Sequence, residues 1–156
     1  MQKVKQMATR ARIGYETAIG GVVASYHHWD GYPSALGWNL VKNYSNRSKL
    51  MQAVDLGDAS VWGSKISPVG PKHTFEDPED DVNVYFGRDR GEKDVGAKCY
   101  ASWADFVENW DNCSEEFAYV LRLNDTWTMF DGPSIIDDAE DEIVLATLKQ
   151  IRAEQF

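Results

Sequence analysis

Two short segments of the chain combine residue types that could bind or transform a small molecule. In the segment 27–33, His28, Trp29, Asp30 and Tyr32 supply a proton carrier, two aromatic rings and a carboxylate. The rings could stack on a planar group, while His28 and Asp30 fix its orientation. The alternative interpretation is a turn in which Asp30 caps the following helix and both aromatic side chains fill the core.

The second segment, 87–92, reads Gly-Arg-Asp-Arg-Gly-Glu and follows a predicted strand directly. Arg88 and Arg90 bracket Asp89, and their guanidinium forks match the geometry of phosphate and carboxylate groups. The flanking glycines allow the backbone to approach an anion closely. The alternative is an exposed loop with local Arg–Asp pairing, which contributes little energy.

The first two predicted strands decide which of these residues can meet. Arg10 and Arg12 lie on the first strand, beside the strand that delivers His28. Successive strand residues point to opposite faces, so only one of His27 and His28 can join a given site. The predicted ligand-binding residues are Arg10, Arg12, His28, Trp29, Asp30, Tyr32, Arg88, Asp89 and Arg90.

Other kinds of site lack their motifs. Cys99, Cys113 and three scattered histidines show no metal-ligand spacing, and no phosphate-binding glycine loop or nucleophile elbow is present, so we expect no metal and no cofactor. An enzyme remains a third hypothesis, for instance a phosphodiesterase-like hydrolase with His28 as general acid/base and Arg88 and Arg90 stabilising negative charge. It ranks last because His28 has no clear catalytic partner.

The charge balance narrows the classes of partner. The 156 residues carry a formal net charge of −9, divided into +5 over residues 1–74 and −14 over residues 75–156. This sign argues against a cationic surface for direct nucleic-acid binding. An acidic loop at 76–81 and an acidic helix start at 137–142 account locally for much of the excess. No apolar run approaches the roughly 20 residues that cross a bilayer, and no leader is apparent, so we expect a cytoplasmic protein without membrane contact.

Hydrophobic periodicity predicts the element order β-β-α-α-β-α-β-β-α. We expect a hairpin from residue 8 to residue 29, a helix from Pro33, and a second helix that Ser45 caps. A loop over 58–81, a strand over 82–86, a helix capped by Ser102 and a hairpin over 117–130 follow. This order predicts one α+β domain over 8–156, mainly an antiparallel sheet with helices packed on it. Residues 1–7 are expected to be a flexible extension, and 134–156 an acidic C-terminal helix.

These motifs resemble a family of small, mostly uncharacterised proteins encoded by bacteriophages and some bacteria. The shared features are a T-R-A/S-x-I-G strand, a Y-x-H-W-D-G-Y-P segment, an L-G-x-x-L helix, a D-L-G-D-x-S turn and a G-R-D-R-G-E ending. They stand here at Thr9–Gly14, Tyr26–Pro33, Leu36–Leu40, Asp55–Ser60 and Tyr85–Glu92. A late aromatic hairpin with Trp127 also matches, and the resemblance extends over roughly residues 8–130. The acidic segment after Ser134 is not part of the family pattern.

The resemblance implies an accessory protein that acts in host takeover or in evasion of bacterial immunity. Our leading hypothesis is such a protein, in the cytoplasm of the infected cell, binding a small anionic ligand of the nucleotide type. The alternative is an acidic inhibitor of a host protein that mimics nucleic acid through Asp137, Asp138, Asp141 and Glu142. Exposed aromatic residues such as Trp62 or Phe156 could support a homo-oligomer.

Overall fold

The computed structural model describes residues 8–136. Its first unit is the predicted hairpin, with β1 at Ala11–Glu16 and β2 at Val22–His27. The strands pair antiparallel, from Ala11 opposite His27 to Glu16 opposite Val22. The predicted extension 1–7 and the residues Asp137, Asp138, Asp141, Glu142 and Phe156 lie outside the described residues, as does most of the predicted acidic helix.

The remaining strands complete one mixed sheet. They are β3 (Ala59–Val61), β4 (Val84–Tyr85), β5 (Lys98–Tyr100), β6 (Phe117–Leu121), β7 (Trp127–Asp131) and β8 (Ser134–Ile136). Over the described residues the order is β4-β3-β2-β1-β6-β7-β8, and β5 pairs separately with β2. The β1–β6 and β2–β3 pairs are parallel, whereas the others are antiparallel.

The α+β class and both hairpins are therefore confirmed, but three short strands depart from the prediction. β3 lies inside the segment predicted to be a loop, and β5 was not in the predicted order. β8 occupies the first three residues of the predicted acidic helix, so the prediction was wrong for 134–136. Each of these strands has only three residues, which is too short for a periodic pattern to identify it.

Two helical segments connect β2 to β3. The first begins as a π-helical turn at Pro33–Gly37 and continues directly into α1 at Trp38–Asn43. The second is α2 at Arg47–Asp55, whose N-cap is Asn46, because its side chain accepts a hydrogen bond from the Lys49 amide at 3.0 Å. Ser45, the predicted cap, instead donates to the Val41 carbonyl at 2.7 Å. This helical crossover places β3 parallel to β2.

Hydrophobic residues pack on both faces of the sheet. On one face the helices α1 and α2 cover a core that includes Ile13, Leu50 and Tyr119. On the other face lies α3 at Trp103–Asn109, capped by Ser102 as predicted, with the fully buried Phe106 facing the sheet. Because β2 runs between these two layers, its alternate side chains enter different environments. None of the helices in residues 8–136 has the length and apolar character needed to cross a membrane.

Candidate ligand-binding cavity

A cavity of about 290 Å³ opens where β2 ends and the helical crossover begins. Trp29, Trp38 and Trp62 contribute aromatic side chains to its lining, and His27 contributes an imidazole. The cavity lies on the face of the sheet that α1 and α2 cover. Its size and its mixture of aromatic walls with a few polar groups are typical of a small-molecule site.

His27 is fully buried at the end of β2 and presents a neutral imidazole. Its Nε2 atom lies 2.6 Å from the carbonyl oxygen of Trp29. A carbonyl can only accept, so Nε2 carries the proton and Nδ1 keeps a free lone pair. That Nδ1 atom is buried and has no hydrogen-bond partner among residues 8–136. Burial lowers the pKa of His27 to about 4, so the ring is uncharged at neutral pH.

Trp62 carries a second unpaired polar group. Its ring meets the His27 ring nearly edge-on, with the centroids 6.4 Å apart. The indole Nε1–H is buried and lacks an acceptor within the described part of the chain. Two residues of the cavity wall thus hold one unpaired acceptor and one unpaired donor. Buried groups of this kind are uncommon in folded proteins, and a bound ligand or an ordered water can satisfy them.

Asp30 stands at the cavity in a strained backbone conformation. Its φ angle is 56°, in the left-handed region that a residue other than glycine adopts at a cost of about 1–3 kcal/mol. The neighbouring Gly31 donates to the Thr9 carbonyl at 2.8 Å, and a Cβ at Gly31 would lie 2.6 Å from that oxygen. The close approach of Gly31 to Thr9 fixes the position of the turn, and the backbone strain of this turn lies at Asp30.

The alternative interpretation of this segment, a capped turn with core aromatics, is wrong. The residue at the N-cap position is Tyr32, and no side chain caps the helical segment. Trp29 and Tyr32 are each 40% exposed. Exposed aromatic rings beside a strained turn are typical of a binding surface and not of a core.

The π-helical turn and α1 form the wall opposite β2. The π-helical turn immediately precedes Trp38 and Asn39, the first two residues of α1. The Asn39 amide donates to the carbonyls of Trp62 at 3.2 Å and Gly63 at 3.0 Å. These bonds join α1 to the segment that follows β3 and hold the two sides of the cavity at a set separation. Short π-helical segments often mark functional sites.

Tyr44, at the end of α1, supports Trp62 from behind. The two rings pack with centroids 4.8 Å apart, and the Tyr44 hydroxyl lies 2.7 Å from the Gly63 carbonyl oxygen. Burial raises the pKa of Tyr44 to about 12. Trp62 is only 5% exposed, so the expectation that it could serve as an exposed oligomer contact was wrong.

The charged residues lining this cavity are Asp30 and Asp81. Asp81 accepts hydrogen bonds from the Ser64 hydroxyl and, at 2.9 Å, from the Ser64 amide, and these bonds lower its pKa. Neither lysine nor arginine contributes to the lining. The cavity therefore favours a neutral ring with hydrogen-bond donors at its edge, and an anionic group placed inside it would meet like charge.

Arg12, predicted to bind ligand, is committed to a partner within the protein. Its Nε and Nη2 atoms each donate to the Glu115 carboxylate at 2.8 Å. Both side chains are largely buried on the face of the sheet that carries α3, opposite the cavity. A paired guanidinium of this kind fixes the start of β6 against β1.

Arg10 and His28 lie on the same face as Arg12, where both are next to the Tyr26 hydroxyl. The Tyr26 hydroxyl lies 2.5 Å from His28 Nδ1, and the His28 ring meets the Trp29 ring edge-on at 4.7 Å. Burial, together with the nearby positive charge of Arg10, lowers the pKa of His28. Among the described residues, no carboxylate lies within ion-pairing distance of Arg10.

The loop 87–92 lies away from the cavity, and its arginines are paired internally. Arg88 bonds to Asp89 at 2.9 Å and donates to the carbonyls of Ile66 at 2.6 Å and Asn83 at 2.7 Å. Arg90 pairs with Glu92 at 2.5 Å. Arg88 therefore fastens both ends of the long loop 62–83, whose residues Gly63 and Asp81 line the cavity.

His73, which was not among the predicted site residues, also has a structural role. Its Nδ1 atom accepts a hydrogen bond from the Glu79 amide at 2.9 Å, so the ring proton lies on Nε2. Nε2 in turn faces the Asp89 carboxylate at 3.3 Å. Burial opposes the ionisation of Asp89, but hydrogen bonds from Arg88, Tyr85 and His73 outweigh it, and its pKa is lowered. The Nδ1 hydrogen bond and the Nε2 contact with Asp89 give this histidine a structural role in the loop.

Of the nine predicted ligand-binding residues, Trp29 and Asp30 line the cavity. The other polar and aromatic residues that line the cavity were not predicted from the sequence: His27, Trp38, Asn39, Trp62 and Asp81. No local signal marks these residues in the sequence, because their position at one cavity depends on contacts between segments remote in the chain. No three side chains of the metal-binding types cluster within the described part of the chain.

Comparison of the chain with protein-family models, curated proteins and solved structures gives no significant match in any of the three. The resemblance to phage-encoded proteins therefore stays a prediction. The cavity has to be interpreted from its own chemistry.

Proposed function

We propose that this protein binds a small molecule with a planar nitrogen heterocycle, of the nucleobase type, in the cavity between β2 and α1. The observation that carries the proposal is the combination of three tryptophans with an unpaired acceptor on His27 and an unpaired donor on Trp62. A flat heterocycle offers an aromatic face for the tryptophans, and its edge offers both donors and acceptors.

The polar groups of the cavity favour a heterocycle with particular hydrogen-bond donors and acceptors along its edge. His27 Nδ1 and the carboxylate of Asp30 can accept from ring N–H or amino groups, and Trp62 Nε1–H can donate to a ring nitrogen or carbonyl. The histidine cannot readily act as a general base at neutral pH, because its pKa is about 4 and its proton is held by a backbone carbonyl. The geometry therefore favours binding over turnover.

In the wider proposal, the protein is a virus-encoded accessory protein that sequesters a nucleotide-type molecule. A binding protein needs only affinity, and a cavity lined by aromatic side chains can supply it without catalytic groups. The sequestered molecule would carry its base in the cavity and any phosphate outside it, since Asp30 and Asp81 repel negative charge.

The proposal is tested by titrating the protein with adenosine, guanosine, cytidine and uridine, followed by tryptophan fluorescence and calorimetry. At least one nucleoside should bind and quench the cavity tryptophans. Trp29→Ala should weaken that binding about 5- to 150-fold, since base–aromatic stacking contributes about 1–3 kcal/mol.

Tyr32→Ala is the matched control. Tyr32 is as exposed as Trp29 and lies three residues away, but it does not line the cavity. Its removal should leave the affinity unchanged. Absence of binding for all four nucleosides, or an equal loss in both variants, contradicts the proposal.

A further inference from the structure

We infer that the ring bound in the cavity carries a positive charge, as a nucleobase does when one of its ring nitrogens is alkylated. The inference rests on the proposed function, in which a neutral ring is favoured over an anionic one because Asp30 and Asp81 line the cavity. The same lining favours a cationic ring further. Three of its features do so: the tryptophan rings, the carboxylate of Asp30 and the unpaired nitrogen of His27.

The tryptophan rings attract positive charge. The faces of an indole carry negative charge density, and tryptophan is the side chain that binds cations best through this effect. Trp38 already makes such a contact with Lys42, which is exposed and does not line the cavity, since Lys42 Nζ lies 5.4 Å from the Trp38 ring centroid. Trp29, the most exposed of the three, has no lysine or arginine over its ring within the described chain. A cationic ring can therefore stack on Trp29 without displacing a cation of the protein.

Asp30 supplies a carboxylate whose charge is open to a ligand. Within the part of the chain that the structure describes, this carboxylate forms neither a hydrogen bond nor an ion pair. Asp81 differs, because it accepts a hydrogen bond from the Ser64 amide at 2.9 Å. The positive charges of Lys49 and Lys65 also help to lower the pKa of Asp81. Asp30 is therefore the carboxylate that can pair with a ligand cation in the cavity.

The buried Nδ1 atom of His27 favours a cation for a separate reason. A positive charge makes the ring and amino N–H groups of a heterocycle stronger donors, and charge-assisted hydrogen bonds are roughly twice as strong as neutral ones. The unpaired Nδ1 acceptor is therefore satisfied better by a cationic ring than by a neutral one. The buried N–H of Trp62 still finds an acceptor, because an alkylated nucleoside keeps its carbonyl or ribose oxygens.

Methylated nucleosides that differ in charge test the inference. At pH 6 the cations are 1-methyladenosine, 3-methylcytidine and 7-methylguanosine, and their neutral isomers are N6-methyladenosine, 5-methylcytidine and 1-methylguanosine. Each pair has the same methyl content, so a difference in affinity reports the charge. Calorimetry at low salt should show at least one cation binding about tenfold more tightly than its neutral isomer, as cation–π and charge-assisted contacts add.

Asp30→Asn removes the negative charge but keeps an acceptor oxygen, and asparagine tolerates the left-handed backbone at this position. The variant should reduce the preference for the cation to about threefold or less and leave the affinity for the neutral isomer unchanged. Asp94→Asn is the matched control, because Asp94 has a similar φ angle of 59° and does not line the cavity. It should preserve the whole preference.

Sodium chloride gives an independent measurement of the same preference. Raising it from 20 to 300 mM should weaken binding of the cation more than binding of its neutral isomer, because salt screens the pairing with Asp30. If both isomers bind equally, or if Asp30→Asn and Asp94→Asn keep the same preference, the cationic ring is wrong while the cavity proposal stands. If no nucleoside of either charge binds, both proposals are wrong.

Discussion

His27 shows how one side chain can connect binding to stability. Its ring is buried, donates to a backbone carbonyl through Nε2, and leaves Nδ1 unpaired. A protonated ring would place a charge where, among residues 8–136, no carboxylate forms an ion pair with it. The neutral form is therefore required for folding as well as for the acceptor role that we propose.

The first residue-scale prediction concerns the pH dependence of His27. Its pKa is about 4 in the folded protein and near 6.5 when unfolded, so only the unfolded chain takes up a proton between these values. The free energy of unfolding should therefore fall as pH decreases from about 6.5 to about 4, by about 3 kcal/mol from this residue. Above this window His27 contributes no pH dependence.

Urea unfolding of wild type and His27→Gln at pH 7 and pH 4 measures this contribution. Glutamine can still donate an N–H to the Trp29 carbonyl but does not titrate. The variant should lose less stability than the wild type between the two pH values, by about 3 kcal/mol. Equal losses in the two proteins would show that His27 does not stay neutral in the folded state.

At the scale of elements, the helical crossover and the long loop 62–83 carry the cavity walls. The crossover supplies Trp38 and Asn39, and the loop supplies Gly63 and Asp81. The loop has little regular structure, so its position depends on side chains that bridge its ends. Arg88 provides the bridge through the carbonyls of Ile66 and Asn83.

The two neighbouring arginines of the loop 87–92 should consequently behave differently. Arg88→Ala removes charge-assisted hydrogen bonds to the Ile66 and Asn83 carbonyls, of which the Asn83 bond is partly buried, and should lower the free energy of unfolding by about 2–3 kcal/mol. Arg90→Ala removes an exposed ion pair with Glu92 and cation–π contacts with Phe75 and Phe86, and should lower the free energy of unfolding by about 1 kcal/mol. Denaturant titration of both variants makes the comparison.

Arg88→Lys serves as the control for charge, because lysine cannot reproduce the fork and should recover only a small part of the loss. A pair of alanine variants with equal stability would contradict the assignment of Arg88 as the residue that fastens the loop. This expectation differs from that of a simple anion-binding loop, in which both variants would weaken ligand binding without unfolding the protein.

At the scale of the whole molecule, the net charge of −9 is spread over a chain that also holds buried ion pairs. Exposed like charges repel across distances that salt screens, whereas the Arg12–Glu115 pair is largely shielded from solvent. Added salt should therefore weaken the repulsion between exposed acidic groups without breaking the internal ion pairs.

Raising sodium chloride from 10 to 150 mM at pH 7 should increase the free energy of unfolding by on the order of 1 kcal/mol, because the screening length falls from about 30 Å to about 8 Å. Near the isoelectric point of 4.7 the same salt change should have little effect. Thermal or urea unfolding at both pH values gives the result. Salt that destabilises the protein at pH 7 would show that surface attraction outweighs repulsion.

Local patterns in the sequence were sufficient to predict the strands and helices that are long enough to show a repeating hydrophobic pattern. The alternation of Ala11, Ile13 and Tyr15 predicted β1, and the spacing of Phe106 and Trp110 predicted the buried face of α3. Trp29 and Asp30 could also be identified from the sequence, because they place an aromatic ring and a carboxylate side by side in one short segment.

Only the tertiary structure decided which face of β2 carries the cavity, and so whether His27 or His28 lines it. It also decided that Arg12 pairs with Glu115, 103 residues away, and that Trp62, which directly follows the three-residue strand β3, lines the cavity. The physical reason is that these outcomes depend on contacts between segments remote in sequence, and periodicity reports only the face on which a side chain lies. The sequence alone determined which groups were present, and the packing of the crossover on the sheet determined which of them remained free to bind.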